Sequence, residues 1–141
     1  MTRVVSIPAR DRTLTELDWI RIRRCIQHSE PDCAPYAPFD DVLEGAAIVP
    51  VHRVGPDIVT MYSRLLLRLM PDGEALAVTP CYPRDDAPSA GFVSVLSPLG
   101  GAVVGRRVGD LTQWAVPDGP TVQAEIAALL FQPEANGDYA R

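Results

Sequence analysis

The spacing of apolar positions changes once along the chain, near residue 57. Before that point it is helical. Leu14, Leu17, Ile22, Cys25 and Ile26 form one broad stripe, with Trp19 and Ile20 spilling beyond it, and predict a helix from Thr13 to about Gln27. Thr13 and Glu16 have the spacing of a capping box, in which the hydroxyl takes a backbone N–H and the carboxylate reaches back. The next ten residues, SEPDCAPYAP, carry Pro31, Pro35 and Pro38 and read as a connecting loop. Phe39, Val42, Leu43 and Ala46 then fall at i, i+3, i+4 and i+7, predicting a second helix near Phe39 to Ala47, with Asp40 and Asp41 at its positive end. Two helices joined by a short loop form an antiparallel hairpin.

From Asp57 the period is two. In IVTMYSRLLLRL, Val59, Met61, Leu65, Leu67 and Leu69 point one way and Thr60, Tyr62, Arg64 and Arg68 the other, as a half-buried strand requires. PDGE at 71–74 is a turn, followed by a strand at about 75–82 that Pro80 assigns to an edge or a bulge. The polar RDDAPSA leads to a strand near Gly91–Val95. Ser97 then suits an N-cap, Pro98 the first helical position and Gly105 the stop, so PLGGAVVG reads as one short apolar helix inside a curled sheet. RVGD turns the chain into LTQWAV, PDG at 117–119 marks a hairpin, and a last strand runs from about Thr121 to Phe131. In QPEANGDY, Pro133 ends that strand and Asn136-Gly137 turns the tail back, while Glu134 and Asp138 offer acid to a basic partner. Trp114 and Tyr139 read as packing residues. Tight turns between strands with helices segregated at the start define an α+β fold with a mainly antiparallel sheet.

Four glycines and two arginines in LSPLGGAVVGRRVGD, residues 96–110, raise the question of a phosphate loop. Gly100 and Gly105 have the P-loop spacing, yet Arg106-Arg107 follows where Lys and Ser or Thr are needed to hold phosphate and magnesium. All 13 basic residues are arginine, so no lysine exists for that role. The dinucleotide fingerprint is missing too. The stretch is scaffold.

The 141 residues suit one domain with at most a small appendage, burying roughly two-thirds of the unfolded surface. A net charge of −5 argues against general nucleic-acid binding, which depends on neutralising phosphates, and favours basic protein surfaces. No apolar run reaches the length of a membrane span, and the N-terminus lacks the apolar core of a signal peptide. Three cysteines, an odd number, fit a reducing compartment. The expectation is a soluble, cytoplasmic chain. Cys25, His28 and Cys33, with His52 as a fourth, could face zinc, but their spacing fits no zinc motif and Cys25 lies on the apolar stripe. Cys25 and Cys81 therefore read as structural. No serine or cysteine nucleophile finds a histidine partner, and no cofactor, metal or catalytic residue is expected.

VTMYSR, DGE, YP, SPLGGAVVGRRVGD, a tryptophan, P-G and the closing FQPEANGDY recur in order across about residues 38–139. Together they resemble the regulator of nucleoside diphosphate kinase (Rnk) family, a relative of the Gre transcript-cleavage factors. The chain differs from the usual pattern in Tyr62, where asparagine is common, in Gly101, Val103 and Val104, and in Pro80. The resemblance implies an N-terminal helical hairpin, residues 1–50, and an FKBP-like domain, residues 51–141. It implies docking at the rim of the secondary channel of bacterial RNA polymerase, in competition with Gre factors, and no direct DNA binding. Carried over by position, the docking loop stands at Ser94 to Leu99, giving Leu96, Ser97, Pro98 and Leu99 as docking candidates, with Arg64 beside them. Gre factors stimulate cleavage through acidic residues on a long coiled-coil tip, and here the tip offers Glu30 and Asp32. A first helix of about 15 residues is only roughly 23 Å long. Reach therefore favours occlusion without cleavage, and the chain is expected not to be an enzyme. The alternatives are a cleavage-assisting Gre-like factor and a regulator of nucleoside diphosphate kinase, direct or indirect.

Overall fold

The structure, a computed structural model, describes residues 12–28, 39–116 and 119–138. The chain begins with a short strand, β1 (Thr13–Thr15), followed by helix α1 (Glu16–Gln27). Helix α2 (Phe39–Gly45) leads into β2 (Ala47–Val49), which pairs in parallel with β1. The sheet proper comprises β3 (Arg64–Leu69), β4 (Ala75–Cys81), β5 (Phe92–Ser94), β6 (Leu111–Ala115) and β7 (Thr121–Phe131), in spatial order β5-β4-β3-β7-β6. One short helix, α3 (Pro98–Val103), packs on it. Three of the four pairings are antiparallel and β4–β5 is parallel. Two register shifts in the β3–β7 pair accompany the curl of the sheet. The architecture is mixed α+β, as expected.

The first helix starts later than its pattern suggests. Thr13 donates its N–H to Gly105 O at 2.9 Å and pairs with Ala47, so residues 13–15 are strand. The cap is Thr15, whose Oγ1 accepts the Asp18 N–H at 3.0 Å, in place of the Thr13–Glu16 pair. Leu14 is buried from the strand. Likewise α2 ends at Gly45, and Ala47 belongs to β2.

The long alternating run from residue 57 is divided. Residues 60–63 form a turn, with Ser63 N–H donating to Thr60 O at 3.0 Å, and only Arg64–Leu69 is strand. Thr60 is therefore buried and not outward: its hydroxyl meets Ser63 Oγ at 2.8 Å and donates to Glu134 at 2.6 Å. Tyr62 takes a positive φ of 65°, a conformation asparagine adopts readily and tyrosine rarely. Pro80 lies in a flanked strand and not on an edge. Its tolerance comes from stagger: β3 pairs with β4 only up to Val78 and β5 only from Thr79, so Pro80 needs no ladder donor. Its carbonyl accepts the Tyr62 N–H at 2.8 Å.

Other signals act where they were read. Ser97 Oγ accepts the Gly100 N–H at 3.1 Å, Pro98 opens α3, and Gly105 follows its end with φ 81°. β7 spans Thr121–Phe131. Pro117 and Asp118 lie outside the described residues, but β6 and β7 pair as a hairpin from Ala115 and Thr121.

Two apolar clusters fill the interior. One, with Leu67, Val103, Trp114 and Ile126, lies between α3 and the sheet. The other joins Ile22 of α1 and Val42 and Leu43 of α2 to Met61, Tyr82 and Leu96, so the helical segment and the sheet region share a core. Full burial of side chains of this size stabilises by about 1.5–3 kcal/mol each. Arg12 is also buried: its Nη1 donates to the carbonyls of Gly101 and, at 3.1 Å, Val104 at the end of α3. A guanidinium there complements the negative end of the helix.

Candidate functional site

The 94–99 loop is built by hydrogen bonds at its own base. Ser94 O accepts both the Ser97 N–H at 2.9 Å and its hydroxyl at 2.6 Å, and Ser94 Oγ accepts the Leu96 N–H at 3.1 Å. Asp86 Oδ1 accepts the Ser94 N–H at 2.9 Å, fixing the loop to the polar segment before it. Gly100 lets the loop close: a Cβ there would stand 2.0 Å from Ser94 O. On the α3 side, Thr112 donates to Ala102 O at 2.6 Å.

The four docking candidates therefore differ in what they present. Leu96 is buried in the cluster that holds Ile22 and Tyr82. Ser97, Pro98 and Leu99 are half-buried, with Leu99 resting on the second cluster. Arg64 is exposed at the start of β3. The Tyr62 N–H meets Pro80 O at 2.8 Å and the Val95 N–H meets Cys81 O at 2.8 Å, so the approach to Arg64 and the 94–99 loop adjoin one end of β4. Glu30 and Asp32 lie outside the described residues.

Between these segments Tyr62 donates its hydroxyl to Asp85, and its ring stands 5.8 Å from that of Tyr82. Burial, then the Asp85 hydrogen bond, pushes the Tyr62 phenol up. Cys81, in the core, is pushed up to about 11 by burial and by Asp86 and Asp85. Cys25 is half-buried at the edge of the first cluster, its thiol raised by burial against the opposing charge of Arg84. Cys33 lies outside the described residues. Among the described residues no three histidine, cysteine or acidic side chains converge as metal ligands.

Sequence reasoning missed Asp18. It is buried, its Oδ2 accepts the Met61 N–H at 3.1 Å, and its carboxyl is pushed up to about 6, chiefly by burial, with Glu134 adding to the shift and the Met61 bond opposing it. It also missed Gln132, whose amide donates to Gly55 O and Ile58 O, both at 2.8 Å, tying the end of β7 to the approach to β3. Neither carries a local signal, since their partners lie 43 to 77 residues away.

Known proteins place this architecture. The family described as "Transcription elongation factor, GreA/GreB, C-term" matches residues 54–130, which include the sheet and the 94–99 loop. The chain is 39% identical over 97 residues to the regulator of nucleoside diphosphate kinase of Escherichia coli, covering 69% of this chain and 71% of that one. It is 29% identical over 89 residues to the elongation factor GreA of Geobacillus kaustophilus, covering 63% of this chain and 56% of that one. A solved GreA/GreB factor from Nitrosomonas europaea superposes with a TM-score of 0.70 at 26% identity, covering 85% of this chain and 99% of that one. The sheet region thus defines a GreA/GreB C-terminal domain. More narrowly, the chain belongs to the Rnk family, the regulators of nucleoside diphosphate kinase related to the Gre factors. The relatives are named as regulators or elongation factors.

Proposed function

We propose that this chain is a transcription regulator that docks on RNA polymerase at the rim of its secondary channel, competes there with Gre factors, and does not stimulate transcript cleavage. The observation that carries the reading is the 94–99 loop, held by Ser94, Asp86 and Gly100, which offers Ser97, Pro98 and Leu99 from a GreA/GreB-type domain. In this reading residues 51–141 form an FKBP-like docking domain and the first 50 residues a helical hairpin. Arg64 flanks the docking surface, and Leu96 acts from beneath by holding the loop's shape.

Reach supports occlusion. α1 has 12 residues, about 18 Å. Acidic groups help two-metal chemistry only within coordination distance of the ion. No helix of the described residues is long and apolar enough to cross a membrane. A cytoplasmic location belongs to the same proposal.

The test is binding of Leu99→Asp and Pro98→Asp variants to core RNA polymerase. We expect loss of binding with the thermal transition kept within a few degrees, because both side chains are partly exposed. Native affinity in both variants would remove the loop from the interface.

A further inference from the structure

Between the second half of α1 and the turn after β4 lies a cleft of about 430 Å³. That volume falls in the range of small-molecule sites. Arg21, Arg24, Cys25 and His28 line it from α1, at i, i+3, i+4 and i+7 and so on one helix face; Tyr82 and Arg84 line it from the other side. The chain holds 18 acidic and 13 basic side chains, yet no residue lining this cleft is acidic. Arg84 reaches Asp85 at 3.8 Å with most of its side chain in solvent, a pairing weak enough to be exchanged for a ligand. Because His28 closes α1, the helix dipole does not favour an anion here, and the guanidiniums must supply the attraction.

The second observation is Tyr82. The residue is 6% exposed, and its buried hydroxyl finds no acceptor for its proton among the described residues. Buried hydroxyls are normally satisfied, and one left over asks for an explanation. Burial is the chief cause that raises this phenol, followed by the negative charge of Asp18, while Arg21 opposes them through its charge and a hydrogen bond to the phenol oxygen, which puts the hydroxyl beside Arg21 at the α1 wall of the cleft. A donor without an acceptor, beside Arg21 in a cleft also lined by Arg24 and Arg84, selects a ligand rich in anionic oxygens.

We infer that this cleft binds a small oligophosphate, with Arg21, Arg24 and Arg84 pairing its oxygens and the Tyr82 hydroxyl donating to one of them. A single carboxylate would occupy one planar guanidinium, whereas arginines on two walls match oxygens spread over neighbouring phosphorus centres. The bound anion would clamp α1 to the turn that follows β4. This site does not depend on the polymerase reading.

The experiment is calorimetric titration of the whole chain with sodium tripolyphosphate at fixed salt, then with ATP and GTP, which carry the same phosphate chain. Saturable one-to-one binding with Kd below about 1 mM is expected. Arg24→Ala and Arg84→Ala, both at exposed positions, should each weaken it about tenfold, and Tyr82→Phe by a smaller factor with an unchanged or higher melting temperature. Arg68→Ala, on β3, is the control and should bind as the native chain does. Equal affinity for tripolyphosphate and nucleotide would assign recognition to the phosphates alone, and tighter nucleotide binding would add a contact to the nucleoside. Absence of heat at millimolar anion, native affinity in the two arginine variants, or binding of a short RNA or acidic peptide where tripolyphosphate fails would overturn the inference.

Discussion

The carboxylate of Asp18 accepts the Met61 amide at 3.1 Å, fastening the first turn of α1 to the turn that precedes β3. Thr15 caps the same turn through the Asp18 N–H, and Thr60 in the partner turn is bonded to Glu134. The helical segment is thus set against the sheet region by a buried acid as well as by the Ile22 cluster.

That acid makes stability depend on pH with an unusual sign. Its folded pKa of about 6 lies above the ordinary carboxylate value. Between roughly pH 4 and 6 the folded chain therefore holds a proton that the unfolded chain releases. The associated stability is complete below that window and lost as pH rises through it, by at most about 3 kcal/mol. Asp18→Asn keeps an acceptor for Met61 and removes the titration. Its melting temperature relative to the native chain should rise from pH 4.5 to pH 7. A difference that stays flat or falls across that range would contradict the assignment.

Arg12 joins the start of the described chain to the end of α3 through two carbonyls. Arg12→Met fills similar volume without donors, leaving the Gly101 and Val104 carbonyls short of partners. The expected loss is about 3 kcal/mol, read by urea denaturation, with Arg12→Lys in between. A loss below about 1 kcal/mol would mean that other groups satisfy those carbonyls.

Gly100 is a steric requirement of the 94–99 loop. Adding a Cβ 2.0 Å from Ser94 O forces either the loop or α3 to move. Gly100→Ala should cost about 1–3 kcal/mol or more by thermal melting, and should weaken polymerase binding beyond what the stability loss explains. Native melting and binding together would show that the loop tolerates a different path.

How much of this was readable in the sequence depends on whether the determining contact is local. The α3 cap at Ser97, Pro98 at its start and the whole of β7 were readable because their signals lie within a few residues. The start of α1 was ambiguous, since Thr13 with Glu16 and Thr15 with Asp18 offer the same spacing. The choice is made by the Thr13 bond to Gly105, 92 positions away. The strands β1 and β2 have three residues each, too short to show a period, and the turn at Thr60–Ser63 hides inside an alternating run. Of the candidate site, the loop was readable through resemblance, but not the burial of Leu96 beneath it. The cleft was half readable: residues 21, 24, 25 and 28 share a face in any helix, whereas Tyr82 and Arg84 join them only by tertiary folding.

The most direct test of the central proposal is competition on core RNA polymerase, with a labelled Gre factor and the native chain as competitor at fixed salt. Dose-dependent displacement, lost in Leu99→Asp, is the expected result, with no shortening of RNA in backtracked complexes. Failure of the folded native chain to displace at micromolar concentration would contradict docking at the secondary channel, and RNA shortening abolished by changing Glu30 and Asp32 to alanine would contradict occlusion without cleavage.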